Sequence, residues 1–109
     1  MDLWQEIEYK EKQLDEALGT LRKNKIKFAE YNVNYYKVKA KRVLEMHKEG
    51  LPVTLITMLI KGDEEVNKAM FDRDCALAIA DANAEAINVK KLEAKIINDQ
   101  LNREWGNTR

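Results

Sequence analysis

The chain has 109 residues, 35% of them charged against about 25% in an ordinary globular domain, and its 19 Lys plus Arg balance 19 Asp plus Glu. Four Gly and one Pro are too few for the turns of a many-stranded β fold, which leaves long helices. One Cys and one His exclude a disulfide framework, a Cys/His zinc site and a cysteine–histidine nucleophilic pair with a spare partner. No apolar run reaches the ~18–20 residues of a membrane span, and the N-terminal MDLWQEIEYK carries acids where a signal peptide needs bases, so a cytoplasmic chain with no membrane contact is expected.

The first predicted helix covers about residues 3–49. Its apolar residues recur every seven positions at Ile7, Leu14, Leu21, Phe28 and Tyr35. A companion series runs through Leu3, Ala17, Tyr31 and Val38, interrupted by Lys10 and Asn24 and widened by Leu18 and Met46. Such a double series is the seam of a coiled coil. Residues 35–42 also alternate with period two, as a half-exposed strand does. A strand is rejected because no second strand of matching quality is present.

Gly50 and Pro52 stop that helix and start the next, since Gly is favoured just past a helix end and Pro at the first helical position. A short helix is predicted over 52–61, apolar around its whole circumference through Leu51, Val53, Leu55, Ile56, Met58, Leu59 and Ile60. Lys61-Gly62-Asp63 repeats the stop–start pattern, with Asp63 as N-cap and Glu64 and Glu65 in the first turn, where the helix dipole favours acids. The last predicted helix, about 64–105, has a seam through Val66, Met70, Leu77, Ala80, Ala84, Ile87, Ala94, Leu101 and Trp105, interrupted at Arg73, Lys91 and Asn98. Ala occupies every second position from 76 to 86.

Folded at residues 50–62, the chain sets Phe28 against Ala84, Tyr31 near Asp81, Tyr35 against Leu77 and Ile7 against Trp105, large side chains against small ones. The predicted fold is therefore all-α: one domain, residues 1–109, forming a long antiparallel helical hairpin, coiled-coil-like, with a short apolar connecting helix. A two-helix layer leaves much apolar area wet, and small cores lean on oligomerisation. A homo-oligomer is expected, buried through Leu51, Val53, Leu55, Ile56, Leu59 and Ile60, with Ile56→Asp breaking self-association while sparing helicity.

Charge is blocked along the chain. Residues 21–50 hold nine bases and three acids, and residues 51–88 hold three bases and seven acids. In an antiparallel hairpin these blocks face each other, so interhelical pairing accounts for much of the pattern. The alternative for the bases is a single-stranded DNA contact: aromatics interleaved with bases, here Tyr35, Tyr36, Lys37, Lys39, Lys41 and Arg42 beside Tyr31, stack on nucleobases while neutralising phosphates. The acids Asp63, Glu64, Glu65, Asp72, Asp74 and Asp81 match neither an EF-hand loop nor a Glu-x-x-His pair, and read as helix-start and solvated residues. His47 suits a helix C-terminus, and Cys75 reads as a small packing residue. No Gly-rich phosphate loop is present, so neither an enzyme nor a cofactor or metal protein is expected.

The stretch Glu49-Gly50-Leu51-Pro52-Val53-Thr54-Leu55-Ile56, with Ala40-Lys41-Arg42 before it and Lys61-Gly62-Asp63-Glu64-Glu65-Val66 after it, resembles a family of small helical early-region proteins of phages and prophages of Gram-positive bacteria. Arg73-Asp74 and Ala86-Ile87-Asn88-Val89 are similar too, so the likeness covers about residues 30–105. The chain departs from the pattern at Thr57-Met58-Leu59-Ile60, where the family helix is more polar. The resemblance implies an accessory role in an infected cell's cytoplasm, close to recombination and single-strand-binding functions. It implies no particular activity and no site residue. The reading is a non-enzymatic phage accessory acting as a self-associating protein-interaction module for a viral or host partner, with single-stranded DNA binding in replication or recombination as the alternative.

Overall fold

The computed structural model describes residues 2–106; the ends of the expected 1–109 domain lie outside them. Helix α1 runs Leu3–Lys48, α2 runs Val53–Leu59 and continues into a 3-10 turn, Ile60–Gly62, and α3 runs Glu64–Gly106. Among the described residues there is no strand, and 35–42 lie inside α1. The fold is an all-α helical hairpin, as the sequence predicts.

Each junction follows from local chemistry. Asp2 and Gln5 cap the start of α1 reciprocally: Gln5 N–H donates to Asp2 Oδ1 (2.8 Å) and Asp2 N–H to Gln5 Oε1 (3.2 Å). At the other end Gly50 sits at φ +86°, donates to the His47 carbonyl (3.0 Å), and lets Leu51 N–H reach back to the Met46 carbonyl (3.2 Å). This double closure satisfies carbonyls that a helix end leaves orphaned, and it requires the left-handed backbone that Gly adopts without strain. Gly62 differs from the sequence expectation: its backbone is right-handed, and the short helix ends by tightening into the 3-10 turn rather than by a left-handed residue. Asp63 caps α3 as predicted, its Oδ2 accepting the Val66 N–H (3.1 Å).

The chain forms two compact units, Asn24–Ala80 and the residues up to Lys23 with those from Asp81 onward. In the first, α1 and α3 run antiparallel, Tyr35 meeting Arg73 and Arg42 meeting Asp63. Met46, Ile56, Ile60 and Val66 form its core, with Tyr35, Val38 and Leu51 packed around them. In the second, Trp4 meets Trp105 edge-to-face (6.2 Å between ring centroids) and Lys10 donates to Glu93 (2.7 Å), again antiparallel.

The α1 seam is the predicted one: Leu3, Ile7, Leu14, Ala17, Leu18, Leu21, Phe28, Tyr31, Tyr35 and Val38 are all half-buried, and Met46 is buried. The α3 seam is partly corrected. Met70, Leu77 and Trp105 are exposed, at 36%, 39% and 60%, whereas Ala69 and Ala76 are buried beside Val66, Ala80, Ile87 and Leu101. The interruptions move as well: Arg73 lies half-buried in the seam, but Lys90 and Ile97 face inward in place of Lys91 and Asn98. Alanine on all sides gives a helix no apolar phase, and small residues turn inward because α1 presents Tyr31 and Tyr35.

The register is displaced by about one helical turn from the symmetric folding. Tyr35 faces Arg73 rather than Leu77, and Trp105 faces Trp4 rather than Ile7. The reversal occurs at Gly50, and α2 folds back beside the last turns of α1, where Ile56 and Ile60 meet Met46. Asp63 therefore starts α3 level with Arg42, and the chain does not close symmetrically about the middle of 50–62.

Candidate interaction surface

Of the six apolar residues predicted to form an interface, α2 turns two inward. Ile56 and Ile60 are 5% and 7% exposed and belong to the chain's own core, and Leu51 packs half-buried against it. This corrects the expected consequence of Ile56→Asp, which strikes the core of the hairpin before any contact with a second molecule. Val53, Leu55 and Leu59 are exposed, as is Met58 beside them. A seven-residue helix packed on the hairpin from one side buries that side only, so an all-apolar sequence leaves the rest wet. Beside this exposed face runs a groove of about 380 Å³, lined by Val43, His47, Val53, Ile56 and Thr57 together with Lys39 and Lys61.

The aromatic–basic cluster also divides. Tyr35 is half-buried, with the Arg73 guanidinium 4.3 Å from its ring centroid and Lys39 Nζ at 5.8 Å. Arg42 is half-buried: its Nε donates to Asp63 Oδ1 (2.9 Å), and its guanidinium also pairs with Glu45. The hydrogen bonds that Arg42 donates to these two carboxylates, Glu45 first, hold its pKa above the ordinary value against partial burial. Asp63 responds in kind: burial pushes its carboxyl upward, but the Val66 amide and Arg42 outweigh that and hold it below the ordinary value. Tyr35, Lys39 and Arg42 thus serve the packing of α1 on α3.

Tyr36, Lys37 and Lys41 point outward. Among the described residues, Lys25, Lys37 and Lys41 make no ion pair, and of the basic block only Arg42 pairs with α3. Interhelical pairing therefore accounts for little of the charge pattern.

The sequence reading missed a second stripe on α1. Ile26, Ala29, Val33, Tyr36, Ala40 and Val43 follow one another at alternating intervals of three and four, and all are exposed, Ile26 at 60%, Val33 at 52% and Tyr36 at 59%. The same spacing that marks the inner seam marks this one, with smaller side chains at Ala29 and Ala40. On α3 in the same unit, Phe71 (67% exposed), Cys75 and Ala78 form a shorter outer stripe. Cys75 is accordingly a surface residue and not the packing residue expected. A shallow groove of about 230 Å³ between Tyr31 and Lys27 on α1 and Phe71, Cys75 and Ile79 on α3 adjoins it.

Among the described residues no group of three or more His, Cys, Asp or Glu is placed to hold a metal ion, and no helix is long and apolar enough to cross a membrane. No family model, curated protein or solved structure matches the chain.

Proposed function

We propose that this chain is a non-enzymatic, self-associating protein-interaction module, a phage accessory protein working in the cytoplasm of its bacterial host. The observation that carries the reading is the outward face of α2, where Val53 and Met58 are 71% and 72% exposed beside Leu55 and Leu59. Large apolar side chains gathered on one short helix are a contact surface awaiting a cover. The family resemblance over residues 30–105 supplies the phage setting. Light scattering on the wild type and on Val53→Glu/Met58→Glu/Leu59→Glu tests it, with circular dichroism to confirm that the variant is folded. The wild type is expected as an oligomer and the variant as a smaller species. A variant of unchanged mass would remove self-association from α2.

A second reading has its own support. Tyr36 is exposed next to Lys37, and among the described residues neither Lys37 nor Lys41 makes an ion pair, which leaves an aromatic ring and two free charges for stacking on single-stranded DNA and phosphate neutralisation. Fluorescence anisotropy with a labelled oligonucleotide is expected to show salt-sensitive binding that Lys37→Ala/Lys41→Ala weakens; absence of binding at low salt removes this reading.

A further inference from the structure

Within the unit Asn24–Ala80 each long helix has an uncovered outer face, and the two faces differ in charge. The α1 face is the stripe Ile26, Ala29, Val33, Tyr36, Ala40 and Val43, bordered by the exposed Lys25, Lys37 and Lys41. The α3 face is Phe71, Cys75 and Ala78, bordered by Asp72 and Asp74. A stripe repeating at three and four is what one helix presents to another, and bordering charges choose the partner. Two α1 faces brought together would oppose lysine to lysine. An α1 face and an α3 face are complementary.

We infer that the outer face of α1 receives the outer face of α3 from a second copy of this chain, front to back. In an antiparallel register that sets Tyr36 over the small Cys75, Ala40 falls opposite Phe71 and Val33 opposite Ala78, large against small at each level. The same register brings Lys37 to Asp74. Every helix then lies between antiparallel neighbours, the arrangement that α1 and α3 already adopt within the unit. Because the two faces are different surfaces of the unit, one contact leaves a free face on each molecule. The assembly is heterologous and grows into a ring or an open stack rather than stopping at a dimer. The inference rests on the self-association reading but uses a different surface from α2.

The test is a charge exchange read by light scattering and native mass spectrometry, with circular dichroism on each protein. One variant carries Lys25→Glu, Lys37→Glu and Lys41→Glu, and the other carries Asp72→Lys and Asp74→Lys. The wild type is expected above the 12.7 kDa monomer, each variant alone at the monomer mass, and an equimolar mixture restored to the assembly with the two variants alternating. Restoration on mixing also shows that both variants are folded. A monomeric wild type overturns the inference, as does an assembly that survives both reversals or one that mixing fails to restore. If reversal leaves the assembly intact while the α2 triple variant dissolves it, the interaction-module reading stands and this pairing of faces falls. If the wild type is monomeric and binds an oligonucleotide that the lysine variant does not, the α1 face belongs to nucleic acid.

Discussion

In the unit Asn24–Ala80, four buried side chains from three elements touch one another: Met46 from α1, Ile56 and Ile60 from α2 and its 3-10 extension, and Val66 from α3. In the other unit only two helices are present, and its buried residues, Ile87 and Leu101, both come from α3 and stand fourteen positions apart. Its aromatic pair remains wet, Trp4 at 55% and Trp105 at 60%, and among the described residues the side-chain oxygen of Gln13 is buried without a hydrogen-bond partner. Both units carry the same kind of seam on α1. The difference teaches that a heptad seam on two helices gives direction, and that a third element, even one of seven residues, is what closes a core. Amide hydrogen exchange should reflect this, with slower exchange for α1 and α3 amides near Met46 and Val66 than for those near Ile7 and Leu101.

The largest expected effect therefore lies at α2. Ile56→Ala removes a buried side chain from the cluster that three elements share, and is expected to cost about 2–5 kcal/mol in chemical denaturation. A loss below that range would mean that α2 is a passive connector and that the contrast between the units is illusory.

Next is the cap that locks α3 to α1. Asp63→Ala removes the acceptor for Val66 N–H and the partner of Arg42, and is expected to cost about 1–2 kcal/mol. The pH dependence has a definite sign. The folded carboxyl lies below its ordinary value of 3.8, so its charge contributes fully above that pH and the contribution fades as pH falls through the lower folded value. Asp63→Asn keeps a capping oxygen but not the charge, so its deficit relative to the wild type should shrink on acidification from about pH 6 to about pH 3. A deficit independent of pH would assign the whole effect to shape.

What could be read from the sequence divides along the same physical lines. The turn at Gly50-Leu51-Pro52 and the cap at Asp63 were legible because their chemistry is local to a few residues. The α1 seam was legible because Phe28, Tyr31 and Tyr35 are large enough to mark an inward side. The α3 seam was not, because Ala76, Ala78, Ala80 and Ala82 look alike whichever way the helix is turned, and Met70 and Leu77 drew the phase outward. Register failed for a different reason: it depends on where α2 comes to rest, and an all-apolar helix does not announce which of its sides is inside. For the same reason the six proposed interface residues divided into core and surface only in three dimensions. The outer stripe from Ile26 to Val43 has the same three-and-four spacing as the inner seam, so it too is written in the sequence, with Ala29 and Ala40 as its weak members.

Smaller effects probe the weaker unit. Gly19 lies inside α1, and a Cβ placed there meets nothing within 4 Å. Gly19→Ala should stabilise the protein by about 0.5–1 kcal/mol by restricting the unfolded chain and favouring the helix. In hydrogen exchange the gain should be confined to the unit containing residues up to Lys23; a gain of equal size around Ile56 would mean that the two units open together.

The smallest expected effect is at the ion pair of that unit. Lys10 interrupts the apolar seam, and its Nζ donates to Glu93 Oε2 at 2.7 Å, with the two side chains 27% and 44% exposed. The hydrogen bond from Lys10 holds the Glu93 carboxyl below its ordinary 4.5, so any stabilisation is present above that pH and lost as pH falls through the folded value. Solvent and salt reach both groups, and such pairs fix orientation more than they stabilise. Glu93→Gln should therefore shift the unfolding midpoint by less than Gly19→Ala does, and the shift should vanish in high salt. A loss as large as that of Asp63→Ala would mean that charge, rather than the thin apolar seam, joins α1 to α3 in this unit, and the two-helix portion would then be the salt-sensitive half of the molecule.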